Sequence, residues 1–132
     1  MGDTGGVPVD GPDEEAAAAV LRSGGARFAF VHGSRAEGGG RPESDMDLAA
    51  WWGGAAPASW ELDLPTDVDL LVLDEAPLEL AGRVALRGRL LFDDDPPARV
   101  RWQAQTRLMY LDEQDRQREI DRVFLTGRAG GR

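Results

Sequence analysis

The chain has no cysteine and no lysine, and only one histidine and one tyrosine among its 132 residues. Without cysteine there are no disulfides, no thiolate metal sites and no cysteine nucleophile. A single histidine, His32, rules out a multi-histidine zinc site. All 15 basic residues are arginine, a bias we read as genome composition rather than mechanism. No apolar run approaches the ~18 residues of a membrane span, and no charged-then-apolar leader opens the sequence. A soluble cytoplasmic protein with no membrane partner is therefore expected. Acidic residues outnumber basic ones 24 to 15, for a net charge of −9. Phosphate neutralisation along a nucleic acid needs clustered cations, so direct nucleic-acid binding is not expected.

What is present suits one domain: 14.3 kDa, with 42% hydrophobic residues and four tryptophans. Residues 1–12 and 127–132 are rich in glycine and lack periodicity, and both are expected to be unstructured around a domain spanning 13–126. Asp13 reads as a helix N-cap, followed by an alanine-rich helix that Gly24 and Gly25 stop. Strands are expected over 27–32, 46–52 and 68–73, the last an almost continuous apolar run typical of a buried strand. Pro77 fits the first position of a helix closing near Gly88, and residues 89–92 suit a short edge strand. A helical pattern then covers 97–125. The order α-β-β-β-α-β-α predicts an α/β (α+β) domain with a small sheet flanked by helices.

The informative segment is GSRAEGGGRPESDMD, residues 33–47: Gly33-Ser34, ten residues, then Asp45-Met46-Asp47. Composition alone gives this spacing roughly 0.007 times in such a chain. A strand ending in Gly-Ser offers free backbone N–H groups and a hydroxyl. Gly33 lets a phosphate approach closely, and Arg35 adds a cation to the cradle. Asp45 and Asp47 share one face of a strand, where their mutual repulsion is relieved by a shared Mg²⁺ bound through oxygen. For Ser34 and Asp45 to serve one phosphate–metal assembly, the first two strands must run antiparallel, which predicts a mixed sheet. Asp67 and Asp69 offer a further carboxylate, and their spacing alone does not choose between them. Three carboxylates around two Mg²⁺ suit in-line displacement at phosphorus.

These residues, with VDLLVLDEAP, RGRLLF and YLDEQDRQRE further on, resemble the DNA polymerase β-like nucleotidyltransferases. The likeness is to the minimal nucleotidyltransferase (MNT) antitoxins in particular, and it spans about residues 13–125. It implies the polymerase β-like nucleotidyltransferase fold and Asp69 as the third carboxylate beside Asp45 and Asp47. It also implies ATP with Mg²⁺ as donor, bound in part by Gly33, Ser34 and Arg35. The implied partner is a HEPN toxin, a ribonuclease that forms a hetero-oligomer with the antitoxin and is silenced by AMP transfer to a tyrosine. Three positions depart from the family pattern. Glu37 replaces its second arginine, His32 stands where an aromatic residue is common, and residues 53–66 are too short and proline-bearing for the usual helix. Two other functions fit less of the pattern: a degenerate antitoxin acting by occlusion, and a small-molecule nucleotidyltransferase.

Elsewhere the ordinary structural role is the expectation. Asp67 and Asp74 read as strand-end caps, and His32 as a packed strand-end residue. Trp51 and Trp52 point to opposite faces, with Trp51 in the core. Ile120, Val123 and Phe124 share a helical face expected to pack back on the domain, with docking to a partner as the alternative.

Overall fold

The computed structural model describes residues 12–33 and 46–130. Helix α1 spans Pro12–Ser23, strand β1 Phe28–His32 and strand β2 Met46–Trp51. Strand β3 spans Val68–Val72, helix α2 Leu78–Arg87, strand β4 Arg89–Asp93 and helix α3 Pro96–Gly130. The order of elements is the one the sequence implies, with differences at the ends. Pro12, with its preset φ, already stands inside α1, so Asp13 lies in the first turn and is not the cap. Pro77 is extended (φ −61°, ψ 150°) and flanks α2 rather than opening it. Instead of stopping at Leu125 before an unstructured tail, α3 runs on to Gly130. Of the segment 1–12 expected to be unstructured, Pro12 is helical and residues 1–11 lie outside the described residues.

The four strands form one mixed sheet in the order β3-β2-β1-β4. β1 pairs antiparallel with both β2 and β4, whereas β2 and β3 are parallel. The mixed sheet inferred from the Gly-Ser and Asp-x-Asp spacing is thus present. β3, despite its apolar run, is an edge strand and only half-buried, correcting the expectation of a buried one. A parallel neighbour requires a long return connection, here residues 52–67. That segment contains only the 3₁₀ turn Ser59–Glu61, consistent with its being too short and proline-rich for a helix.

Alternation along the strands divides the core between the two faces of the sheet. Ala29, Val31, Leu48 and Ala50 pack with Ala17 and Leu21 of α1 on one face, where Leu62 and Leu64 of the connection also lie. On the other face, Phe28, Phe30 and Ala49 meet Ala81 and Val84 of α2 and Ala98 and Trp102 of α3. The rings there interlock. Trp51 stacks on Phe28 with centroids 5.1 Å apart, while Trp102 lies 5.7 Å from Phe28 and 5.8 Å from Phe30. Trp52, on the α1 side, is the more buried of the tryptophan pair, and its indole N–H donates to the Gly24 carbonyl at 2.9 Å. Trp51 is half-buried against the opposite cluster. α2 and α3 approach so closely that a Cβ on Gly82 would stand 2.2 Å from the Tyr110 ring.

Ion pairs tie the layers together at the rim. Glu14 of α1, itself buried, accepts from Arg89 of β4 at 2.9 Å. Arg22 forms two hydrogen bonds to Asp94, at 2.9 and 3.0 Å, which raise its pKa. Asp74 accepts from the N–H groups of Trp52, Gly53 and Gly54 at 2.9, 2.7 and 3.2 Å, so it caps the strand end as expected. No helix among the described residues is long and apolar enough to cross a membrane.

Candidate active site

The site is set by strand register. In the parallel β2–β3 pair Asp47 stands opposite Asp69, and in the antiparallel β1–β2 pair Asp47 stands opposite His32. Directly opposed residues project from the same face of a sheet, with Cβ atoms about 5 Å apart. His32, Asp47 and Asp69 therefore form a row across three adjacent strands. The row lies on the face covered by α2 and α3, at the end where β1 finishes and β2 and β3 begin. Asp69 is exposed; Asp47 and His32 are partly buried.

Two backbone features hold the carboxylates there. The Met46 N–H donates to the Asp67 carbonyl at 2.9 Å, locking the start of β2 to the residue that leads into β3. Asp67 adopts a left-handed conformation (φ 69°) and lies outside β3. Of the two candidates that spacing could not separate, Asp69 is the one paired with Asp47, while Asp67 serves as the turn. Gly33 also has a positive φ of 74°, and a Cβ at that position would lie 2.6 Å from the Asp47 carboxylate oxygen Oδ2. The Asp47 side chain thus occupies the space a glycine leaves, against the turn that ends β1. This places the Gly33 backbone beside one carboxylate, as the phosphate–metal reading requires.

Ser34, Arg35 and Asp45 lie outside the described residues, as does Glu37. Two carboxylates, Asp47 and Asp69, are brought together, but the described residues hold no cluster of three or more ligating side chains. The donors present fit a hard divalent cation: carboxylate oxygens on one face, next to a glycine turn able to admit phosphate. Reasoning from sequence alone missed the register of His32 with Asp47. The alternation of 28–32 could have placed His32 on a face, but only the pairing shows which residue it opposes.

The family model described as polymerase beta, nucleotidyltransferase, matches residues 17–97, well over half of the chain. The chain belongs to this nucleotidyltransferase family. Among solved structures, it is similar to a toxin–antitoxin complex with AMP-PNP. The identity is 27% and the TM-score 0.68, over 84% of this chain and 98% of that one. An MntA–HepT toxin–antitoxin structure matches at 26% identity and TM-score 0.63, over 85% of this chain and 97% of that one. A tri-AMPylated Shewanella oneidensis HEPN toxin in complex with an MNT antitoxin gives 26% and 0.63, over 85% and 96%. Comparison with curated proteins returns no match. The fold and the enzyme class implied by the GSRAEGGGRPESDMD resemblance are both present.

Proposed function

We propose that this chain is a Mg²⁺-dependent antitoxin that transfers AMP from ATP to a tyrosine of a HEPN ribonuclease toxin and neutralises it. The observation that carries this reading is the in-register pairing of Asp47 with Asp69, on one sheet face beside Gly33. Similarity to a complex containing AMP-PNP and to one whose HEPN toxin is tri-AMPylated supports the donor, the partner and the modification.

In this mechanism the Gly33 backbone and Ser34 hold the β- and γ-phosphates, with Arg35 adding positive charge. Asp45 and Asp47 would hold the divalent cations, with Asp69 completing the set. Mg²⁺ held there would supply Lewis-acid neutralisation of the charge that develops on the phosphate. Asp69, the most exposed of the row, receives the proton of the incoming tyrosine hydroxyl. The tyrosine oxygen forms a bond to the α-phosphorus as the bond to the β-phosphate oxygen breaks, and pyrophosphate leaves. A cytoplasmic setting, where ATP is at hand, goes with this reading. Ile120, Val123 and Phe124, 46–61% exposed, give α3 an apolar surface for the toxin to dock against.

The test is the double variant Asp45→Asn, Asp47→Asn, incubated with toxin, ATP and Mg²⁺. The wild type should add AMP to the toxin, visible as a mass increase; the variant should fold and add none. Modification by the double variant at the wild-type rate would falsify this mechanism. An unmodified but inhibited toxin in the wild-type reaction would point instead to neutralisation by occlusion.

A further inference from the structure

The row of side chains has a third member that the proposed transfer does not use. In an in-line displacement the attacking and leaving oxygens lie on opposite sides of the phosphorus. Asp69 marks the attack side, at the edge strand of the sheet. Asp47 is in the middle, and on its far side is His32, the last residue of β1 and the neighbour of Gly33. With strands ~4.8 Å apart, His32 stands roughly 9–10 Å from Asp69 across the sheet, on the side where the leaving phosphates would rest. β4 pairs with β1 only as far as Val31, so among the described residues no strand covers the outer side of His32. Among the described residues its ring has no hydrogen-bond partner.

We infer that His32 is a nucleotide-binding residue whose imidazole N–H donates to the β- or γ-phosphate, selecting triphosphate over monophosphate and holding pyrophosphate as it departs. The inference rests on the nucleotidyltransferase reading of the Asp47–Asp69 pair. A neutral imidazole keeps one N–H donor, so the contact does not require a protonated ring. Its chemistry also suits a chain with no lysine, in which Glu37 stands where the family resemblance places an arginine. A phenylalanine at position 32 would fill similar space without offering a donor.

The test is calorimetric binding of ATP, AMP and pyrophosphate, each with Mg²⁺, to the full chain and to His32→Leu, His32→Phe and His32→Asn. Folding of each variant is checked by thermal melting. Loss of a hydrogen bond to a charged group should weaken ATP and pyrophosphate about ten-fold in the Leu and Phe variants, leaving AMP unchanged. Asn, which keeps an N–H donor, should bind all three within about three-fold of wild type. Unchanged ATP and pyrophosphate binding in folded Leu or Phe variants overturns the inference, as does an equal loss for AMP, which marks a merely structural role. A wild-type chain that binds no ATP overturns the parent reading and this inference together. Wild-type ATP binding with indifferent variants overturns the inference alone.

Discussion

Gly33 answers to two constraints at once. Its φ of 74° lies in the left-handed region, and the Asp47 carboxylate lies where a side chain would begin. The left-handed conformation costs a non-glycine residue about 1–2 kcal/mol. The contact costs more, because the neighbour that must yield is a carboxylate at the site. Gly33→Ala should therefore lower unfolding free energy by about 1–3 kcal/mol in denaturant titration and abolish AMP transfer in the protein that remains folded. Removing charge acts in the opposite sense. Replacing Asp47 by Asn without metal present relieves like-charge repulsion with Asp69, so the melting temperature should stay level or rise slightly while Mg²⁺ binding is lost. A fall of several degrees would show that Asp47 has a structural role beyond the cation.

Individual elements are held by contacts well away from the carboxylates. Asp74 collects three backbone N–H groups beyond the end of β2, opposite the end that carries Asp47. Asp74→Ala strands those donors and should cost about 2 kcal/mol by chemical denaturation, with AMP transfer per folded molecule unchanged. Gly82 plays the corresponding part between helices, since Tyr110 packs against the space where its Cβ would be. Gly82→Ala forces α2 and α3 apart and should lower stability by roughly 1–3 kcal/mol, even though alanine favours a helix more than glycine. The first half of α3 owes its position to this contact and to Trp102 on Phe28 and Phe30. Within the polar stretch 112–119 the described ion pairs are internal to the helix, such as Arg116–Glu113 and Arg118–Asp115. Each contributes a few tenths of a kcal/mol at most.

Over the molecule as a whole, the sheet separates two kinds of work. Its α1 face is apolar packing, and its other face is core at one end and acidic row at the other. The long α3 carries apolar residues outward: Leu108 is 70% exposed, and Ile120 and Val123 are 46% and 61% exposed. Ile120 and Val123 are thus exposed among the described residues, rather than packed as expected of that face. The paired changes Ile120→Ser and Val123→Ser should alter unfolding free energy of the isolated chain by less than about 0.5 kcal/mol. In a toxin pull-down the same protein should show weakened capture, because the surface it loses is the one assigned to the partner.

Element order and the mixed sheet were legible because local signals and one spacing agreed. Glycines ended α1, apolar alternation marked the strands, and the distance from Gly33-Ser34 to Asp45 demanded an antiparallel turn. Asp47 and Asp69 stood out as candidates because acidic residues at the starts of two apolar strands, downstream of Gly-Ser, point to a shared site. Burial and pairing were a different matter. Nothing local tells an apolar segment such as 68–72 that it will lie at an edge, or tells Trp52 that Gly24 will accept its N–H. Nor does it tell Asp69 that it will meet Asp47, or His32 that it will stand across from both. Period and composition constrain each segment on its own; which side chains become neighbours depends on how strands from distant parts of the chain align, and that is settled only when the sheet assembles.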